Sequence, residues 1–387
     1  MPRRIAVVLV DRANYGRLKP VMEIMRDEPG VDMQIVCTGT MLLDRFGTAV
    51  DVVEADGFQV DERIYIELEG SVPATMVKSM GLAVIELGNA FARLDPEFVL
   101  VIGDRYEALS AAIAAAYQNI CLIHLQGGEV TGSIDESTRH AITKLAHYHF
   151  PATRRAARYV VQMGEPEENV FWIGCPSADV VDQTVRSKPF ARNAAFLDRL
   201  GVGPHIDIER RFLLSLFHPV TTEYQSAEQQ MMELLAALKR LDEQVILIWP
   251  NIDAGADGIS QAIRRFREVN RDVRLHAYKN FEPERYIPLL KMAACLVGNS
   301  SSFVRDASFL GTPVVLVGSR QDGRELSESV IKVEPDQDAI LRAVTHQLKN
   351  GGYPASSIYG EPGASRKIVD QILHLERFAQ KTLVYRD

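Results

Sequence analysis

Four cysteines in 387 residues, none of them close to another, leave little for a disulfide or a metal to use. Cys37, Cys121, Cys175 and Cys295 lie beside or within apolar runs, so buried free thiols in a reducing, cytoplasmic compartment are expected. Long apolar runs are missing too. Nothing approaches the roughly 18 consecutive apolar residues that a spanning helix requires, so no membrane partner is expected. The N-terminal MPRRIAVVLVDR meets charge at Asp11 and Arg12 too early for a secretory signal and carries no small-residue cleavage site. There is no basic excess either: 43 Lys and Arg face 51 Asp and Glu, a net charge of −8, which argues against nucleic acid as a general partner. Familiar cofactor signatures are absent. GxGxxG after a strand, GxxxxGK[ST], GxSxG and HExxH do not occur. The chain is therefore expected to need neither cofactor nor metal, and serine hydrolysis loses support.

What is present is a repeated alternation. Continuous apolar runs at 5–10, 33–37, 97–103, 119–125 and 169–174 fill the first half. A second series follows at 212–217, 244–250, 273–278, 294–300 and 313–318. Unbroken rather than alternating apolar runs point to strands covered on both faces, hence parallel sheets with helices between them. Helix-length segments such as 74–94 and 228–241 separate the runs. An α/β chain of this length with a polar, turn-rich break at 176–210 is expected to form two doubly wound Rossmann-like domains, 1–180 and 181–362. In such sheets ligands bind beyond the carboxyl ends of the strands.

Chemistry-bearing residues cluster at those ends. IAVVLV leads into Arg12 and Gly16, EFVLVIG into Asp104 and Arg105, and NICLIHL into LQGGEVTGSIDESTRH, with Gln126, Glu129, Asp135 and Arg139. Asp104 reads either as a helix N-cap or as a proton-transfer acid. Glu129 and Asp135 read as solvated loop acids or as cleft residues, and Asp135 also as the cap of a helix over 136–147. Carboxylates gathered with an arginine suit proton transfer because neighbouring charges separate their pKa values. In the second half, GNSSSFVRDASF follows a strand, so Ser300, Ser301 and a helix N-terminus could hold phosphate, although a serine there also simply caps. His218, Asn251, Arg320 and Arg324 stand at neighbouring strand ends; Arg324 reads slightly better as a surface residue.

Ordered motifs over nearly the whole chain resemble the hydrolysing UDP-N-acetylglucosamine 2-epimerases of sialic-acid biosynthesis. They are DRANYGRLKP, VIGDRYEAL, GGEVTGSIDESTRHAITKLAHYHF, GCPSADVV, HPVTT, PNIDAG, GNSSSFVRDASFLGTPVV and GSRQDGRE. HPVTTE at 218–223 and GDR at 103–105 match the hydrolysing branch rather than the HRREN and GDT of non-hydrolysing relatives. The kinase domain that bifunctional relatives carry is not expected in these 387 residues.

The resemblance implies a GT-B architecture, a cleft between two domains, and a C-terminal helix near 363–381 crossing back to the first. It implies elimination of UDP to 2-acetamidoglucal and hydration to N-acetylmannosamine, in a cytoplasmic homodimer or homotetramer. UDP contacts would fall to Arg12, Gly16, Arg105, His218, Asn251, Ser300, Ser301, Asp306 and Arg320. Catalysis would fall to Asp104, Glu129, Asp135 and Arg139. Two positions depart from the family: Asp306 replaces a Glu, and Gln126 replaces a Glu with an acid–base role, so that Gln126 reads as a recognition residue. Feedback inhibition by a sialylated nucleotide is not expected, because Asp257 replaces a basic contact. Alternatives are the same reaction on a UDP-2,4-diacetamido-trideoxyhexose, a glycosyltransferase of the same fold, or a catalytically impaired nucleotide-sugar sensor.

Overall fold

The computed structural model describes residues 2–70, 72–186 and 196–385. Two six-stranded, wholly parallel sheets organise the chain. The first contains β1 (Arg3–Leu9), β2 (Val31–Thr38), β3 (Glu62–Ile64), β4 (Phe98–Ile102), β5 (Cys121–Leu125) and β6 (Tyr148–Phe150), in the order β3-β2-β1-β4-β5-β6. The second contains β7 (Phe212–Leu216), β8 (Gln244–Ile248), β9 (Leu275–Tyr278), β10 (Cys295–Gly298), β11 (Val314–Val317) and β12 (Val330–Val333), in the order β12-β11-β10-β7-β8-β9. Numbered within its own half, each sheet runs 3-2-1-4-5-6. The order reverses between β1 and β4 in one half and between β7 and β10 in the other, and those are the crevices where a doubly wound sheet binds ligands.

The strands form because both faces are covered. β4, β5, β7 and β8 are buried along their whole length, so an unbroken apolar run is the pattern that suits them. One expected strand is absent. Residues 169–174 make only an isolated bridge, Val170 to His149. Phe171 and Ile173 instead lie against the first core, Phe171 beside Tyr148 and Phe150. Their apolar character reflects covering a sheet edge, and the short β6 is the strand itself.

The C-terminal helix is shorter than expected, Ala364–Leu373. Ile368, Val369 and Ile372 enter the first core with Leu18, Val21 and Met25 of the helix Arg12–Arg26, so this segment does return to the first sheet. Beyond it the chain is pinned as non-helical structure. Tyr148 Oη donates to Glu376 O at 2.8 Å, and Lys381 Nζ donates to Thr143 O and Lys144 O at 3.0 and 2.9 Å. Part of the turn-rich break, 187–195, lies outside the described residues. Among the described residues no helix is long and apolar enough to cross a membrane.

Candidate active site

A cavity of about 290 Å³ opens where the two reversal points face each other. Its walls include every expected site residue except Glu129. On the first-domain side, the loop after β4 presents Asp104. The helix Tyr106–Tyr117 takes Arg105 as its N-cap residue with no side-chain cap bond, so Asp104 is not a cap. Its carboxylate instead accepts from Arg139 Nη2. Arg139 lies on the helix Ile134–Leu145, is 1% exposed, and also donates to Glu129 O at 2.7 Å. Ser133, not Asp135, caps that helix, its Oγ accepting from Asp135 N–H at 3.3 Å. Asp135 is thereby free to face the cavity.

The two acids differ in proton affinity. Burial alone would raise the Asp104 carboxyl, but Arg139 and Arg324 outweigh it and hold the group well below the usual carboxylate range. At Asp135 burial is joined by the negative charge of Asp104, so its carboxyl is raised, with Arg320 Nη2 3.6 Å away as the opposing charge. A carboxylate that stays ionised beside one that holds its proton more tightly is an arrangement suited to acid–base work.

Glu129 belongs elsewhere. It is buried, not a solvated loop acid, and it does not line the cavity. Its carboxylate accepts from Arg305 Nη2 at 2.9 and 3.0 Å and lies 3.2 Å from Arg324 Nη2, joining the first domain to the second. Burial pushes the group up, yet Arg305, Arg324 and Arg139 prevail and lower it. Held between these two arginines and away from the cavity, Glu129 reads as an ion-pair anchor between the domains. Arg324, which the sequence placed nearer the surface, is only 7% exposed and lines the cavity.

The glycines of this loop also serve packing rather than approach to a ligand. Gly128 has φ +78°, and a Cβ there would meet Ala156 O at 2.3 Å. Gly132 touches the opposite domain: its N–H donates to Arg320 O at 3.2 Å, and a Cβ would lie 2.0 Å from Ser319 O. The Gly-Gly turn after β5 faces protein, and neither Gly127 nor Gly128 lines the cavity.

The second-domain wall is built to meet an anion. His218 donates its backbone N–H to Asn299 Oδ1 at 2.7 Å, and its Nδ1 accepts from Asn251 N–H at 3.1 Å. That leaves the ring proton on Nε2. Burial, with Arg320 and Arg105 nearby, pushes the ring well below its ordinary value, so His218 is a neutral donor. Ser300 caps the helix Ser301–Leu310, its Oγ accepting from Ser302 N–H at 3.3 Å, and the free N–H groups and positive dipole end of that helix face the cavity. Arg12 adds a guanidinium whose Nε is buried without a partner, and Asn251 Oδ1 and Asp306 Oδ1 are likewise unpartnered.

Two expected contacts are engaged with protein. Arg105 binds Glu107 at 3.0 Å and reaches Asp253 across the cleft at 3.2 Å. Gly16 lets the first helix approach the second domain, since a Cβ would lie 3.2 Å from Pro283 Cγ. Gln126, with φ +62°, accepts from Arg17 Nη1 at 2.7 Å and donates to Cys175 Sγ at 3.0 Å. Residue-level reading missed Arg17, Ser177, Tyr286 and Arg305 on these walls. Arg17, Ser177 and Arg305 lie inside the motifs DRANYGRLKP, GCPSADVV and GNSSSFVRDASF, which was the available signal. Tyr286 stands in no such motif.

Comparison with known proteins agrees with this geometry. Residues 23–373 match the family described as UDP-N-acetylglucosamine 2-epimerase. The chain is 34% identical over 367 residues to a hydrolysing UDP-N,N'-diacetylbacillosamine 2-epimerase of Legionella pneumophila, covering 95% of this chain and 94% of that one. It is 28% identical over 358 residues to a UDP-N-acetylglucosamine 2-epimerase of Neisseria meningitidis, covering 92% and 90%. Among solved structures, the Neisseria meningitidis UDP-GlcNAc 2-epimerase bound to UDP-GlcNAc superposes with a TM-score of 0.77 at 17% identity, covering 95% of this chain and 99% of that one. That likeness establishes the two-domain GT-B-like fold. The chain belongs to the UDP-N-acetylglucosamine 2-epimerase family.

Proposed function

We propose that the chain is a hydrolysing 2-epimerase that releases UDP from a UDP-linked 2-acetamido sugar, with UDP-N-acetylglucosamine and N-acetylmannosamine as the substrate and product first considered. The observation that carries this is the pair of cavity carboxyls, Asp104 and Asp135, whose proton affinities are driven in opposite directions. A base removes the proton at carbon 2, that C–H electron pair forms the carbon 1–carbon 2 double bond, and the carbon 1–oxygen bond breaks with its electrons leaving on UDP. Water then supplies hydroxyl to carbon 1 and a proton to the opposite face of carbon 2. Inversion requires two proton-handling groups, which Asp135 and Asp104 provide, while Arg139 steadies Asp104. The charge growing on departing UDP meets His218 Nε2–H, the helix N-terminus at Ser301, Arg12 and Arg320.

The same chemistry on a UDP-2,4-diacetamido-trideoxyhexose is favoured by the 34%-identical relative. Incubating the purified protein with a panel of nucleotide sugars, followed by phosphorus NMR for UDP and proton NMR for the sugar, tests the reading. Free UDP together with a released sugar epimeric at carbon 2 is expected. A nucleotide-linked product, or no reaction with any UDP-linked 2-acetamido sugar, would overturn it.

A further inference from the structure

His124 lies within the apolar run of β5, on a face that otherwise carries hydrophobic side chains. Side chains alternate along a strand, and Leu122, two residues earlier, belongs to one core cluster with Ile142 and Ala146. The imidazole is fully buried, and a polar ring there is costly unless its nitrogens are satisfied. Both have partners: Nε2 lies 2.8 Å from Gly103 O, and Nδ1 lies 3.2 Å from Thr143 Oγ1. A carbonyl only accepts, so Nε2 carries the proton and Nδ1 accepts from the Thr143 hydroxyl. Burial pushes the ring down to about 3, against the opposing bond to Gly103 O, so it stays neutral. His124 does not line the cavity, so it moves no proton of the substrate itself.

Its partners adjoin the acid chemistry. Gly103 immediately precedes Asp104, and its φ of +83° turns the chain out of β4. The Gly103 N–H donates to Leu125 O at 3.0 Å while its carbonyl accepts from His124, so β5 holds both backbone groups. Thr143 lies on the helix Ile134–Leu145, on the face that also carries Arg139 and Asp135. The ring therefore joins the loop of Asp104 to the helix of Arg139 and Asp135, a second link besides the Arg139–Asp104 ion pair. Gly127 packs against that link, since a Cβ there would lie 2.9 Å from His124 Nδ1 and from Thr143 Oγ1.

We propose that His124 is a positioning residue for the elimination, setting Asp104 against Arg139 and Asp135 through its two hydrogen bonds. The inference rests on the reading above, in which Asp104 and Asp135 handle the proton at carbon 2. Without the ring, the Gly103 carbonyl loses this donor and the peptide leading into Asp104 is no longer held in one orientation. A displacement of about 1 Å in a reacting group costs up to roughly a hundredfold in rate. His218, Ser300 and Ser301, which meet the nucleotide in this reading, stand on the second domain and are untouched by that change.

The test is steady-state UDP release by wild type, His124→Phe, His124→Asn and His124→Gln. The substrate is the UDP-linked 2-acetamido sugar that wild type turns over fastest, with urea unfolding for stability and calorimetry for UDP affinity. In His124→Gln the amide nitrogen takes the place of Nε2 and donates to Gly103 O, whereas in His124→Asn it stops one bond short. His124→Phe and His124→Asn should lower kcat by roughly tenfold to a hundredfold, with KM and UDP affinity within about twofold of wild type. His124→Gln should recover most of that loss, even where urea unfolding shows it no more stable than His124→Asn. A near wild-type kcat in folded His124→Phe or His124→Asn would overturn the inference. So would losses shared equally by KM and UDP affinity, or His124→Gln no faster than His124→Asn. If His124→Phe does not fold, the comparison of His124→Gln with His124→Asn decides alone. A wild type that releases UDP from no such sugar would overturn the hydrolysing reading and, with it, the elimination that His124 serves.

Discussion

Replacing Glu129 by Gln separates a structural carboxylate from a catalytic one. The side chain is buried between Arg305 and Arg324, both themselves buried, with contacts of 2.9 and 3.2 Å. Removing its charge leaves two guanidiniums with no carboxylate between them. Breaking a buried ion pair from one side costs about 3–5 kcal/mol, and because Gln keeps the shape and one acceptor, the lower end, about 3 kcal/mol, is expected. Urea unfolding reads this directly. The pH dependence has a definite sign. The folded-state pKa of Glu129 is lowered, so its contribution is present above the unfolded carboxylate value and is lost as pH falls below that value through the folded one. Wild type should therefore lose part of its stability on acidification, and Glu129→Gln should lose less. Turnover of the folded variant should fall by less than about tenfold, since Glu129 holds Arg139 through its backbone carbonyl rather than its side chain. Unchanged stability together with a turnover loss of roughly a hundredfold or more, the scale for a general acid or base, would refute this and return Glu129 to the proton-transfer step.

Three further outcomes follow from the site. Asp104→Asn is nearly isosteric and Asp104 caps no helix, so a folded variant should lose at least roughly a hundredfold in turnover; a near wild-type rate would remove Asp104 from the mechanism. His218→Ala and Ser301→Ala should each weaken UDP binding in calorimetry by about 1–3 kcal/mol, and unchanged affinity in both would place the phosphates elsewhere. Gly132→Ala puts a methyl 2.0 Å from Ser319 O, which must push the domains apart locally, so kcat/KM should drop by at least about tenfold with secondary structure intact by circular dichroism; wild-type kinetics would contradict the close approach.

Much of the fold was legible because parallel strands buried on both faces leave an unbroken apolar run, as in VILI of β8 or VLVI of β4. The same signal misled at 169–174, where Phe171 and Ile173 are apolar because they cover a sheet edge, not because they pair with it. Strands β3, β6 and β12, three or four residues each, are too short to announce themselves by periodicity. The residues anticipated from strand ends and from the family motifs gather in space: thirteen of the fourteen line one cavity. The exception shows the limit of local reading. Glu129 looks like a loop acid until its partners, Arg305 and Arg324 from the other domain, are in place. The partners of Gln126, Arg17 and Cys175 at either end of its amide, likewise come from segments remote in sequence.

The reaction carried out in deuterium oxide tests the account most directly. If the proton at carbon 2 is removed and returned by two cavity acids while UDP departs, each turnover should yield UDP and a free sugar inverted at carbon 2. NMR should find one deuterium bound at that carbon, and the signal should disappear together with turnover in Asp135→Asn. A free sugar that retains its original carbon 2 proton, or a product still linked to UDP, would contradict it.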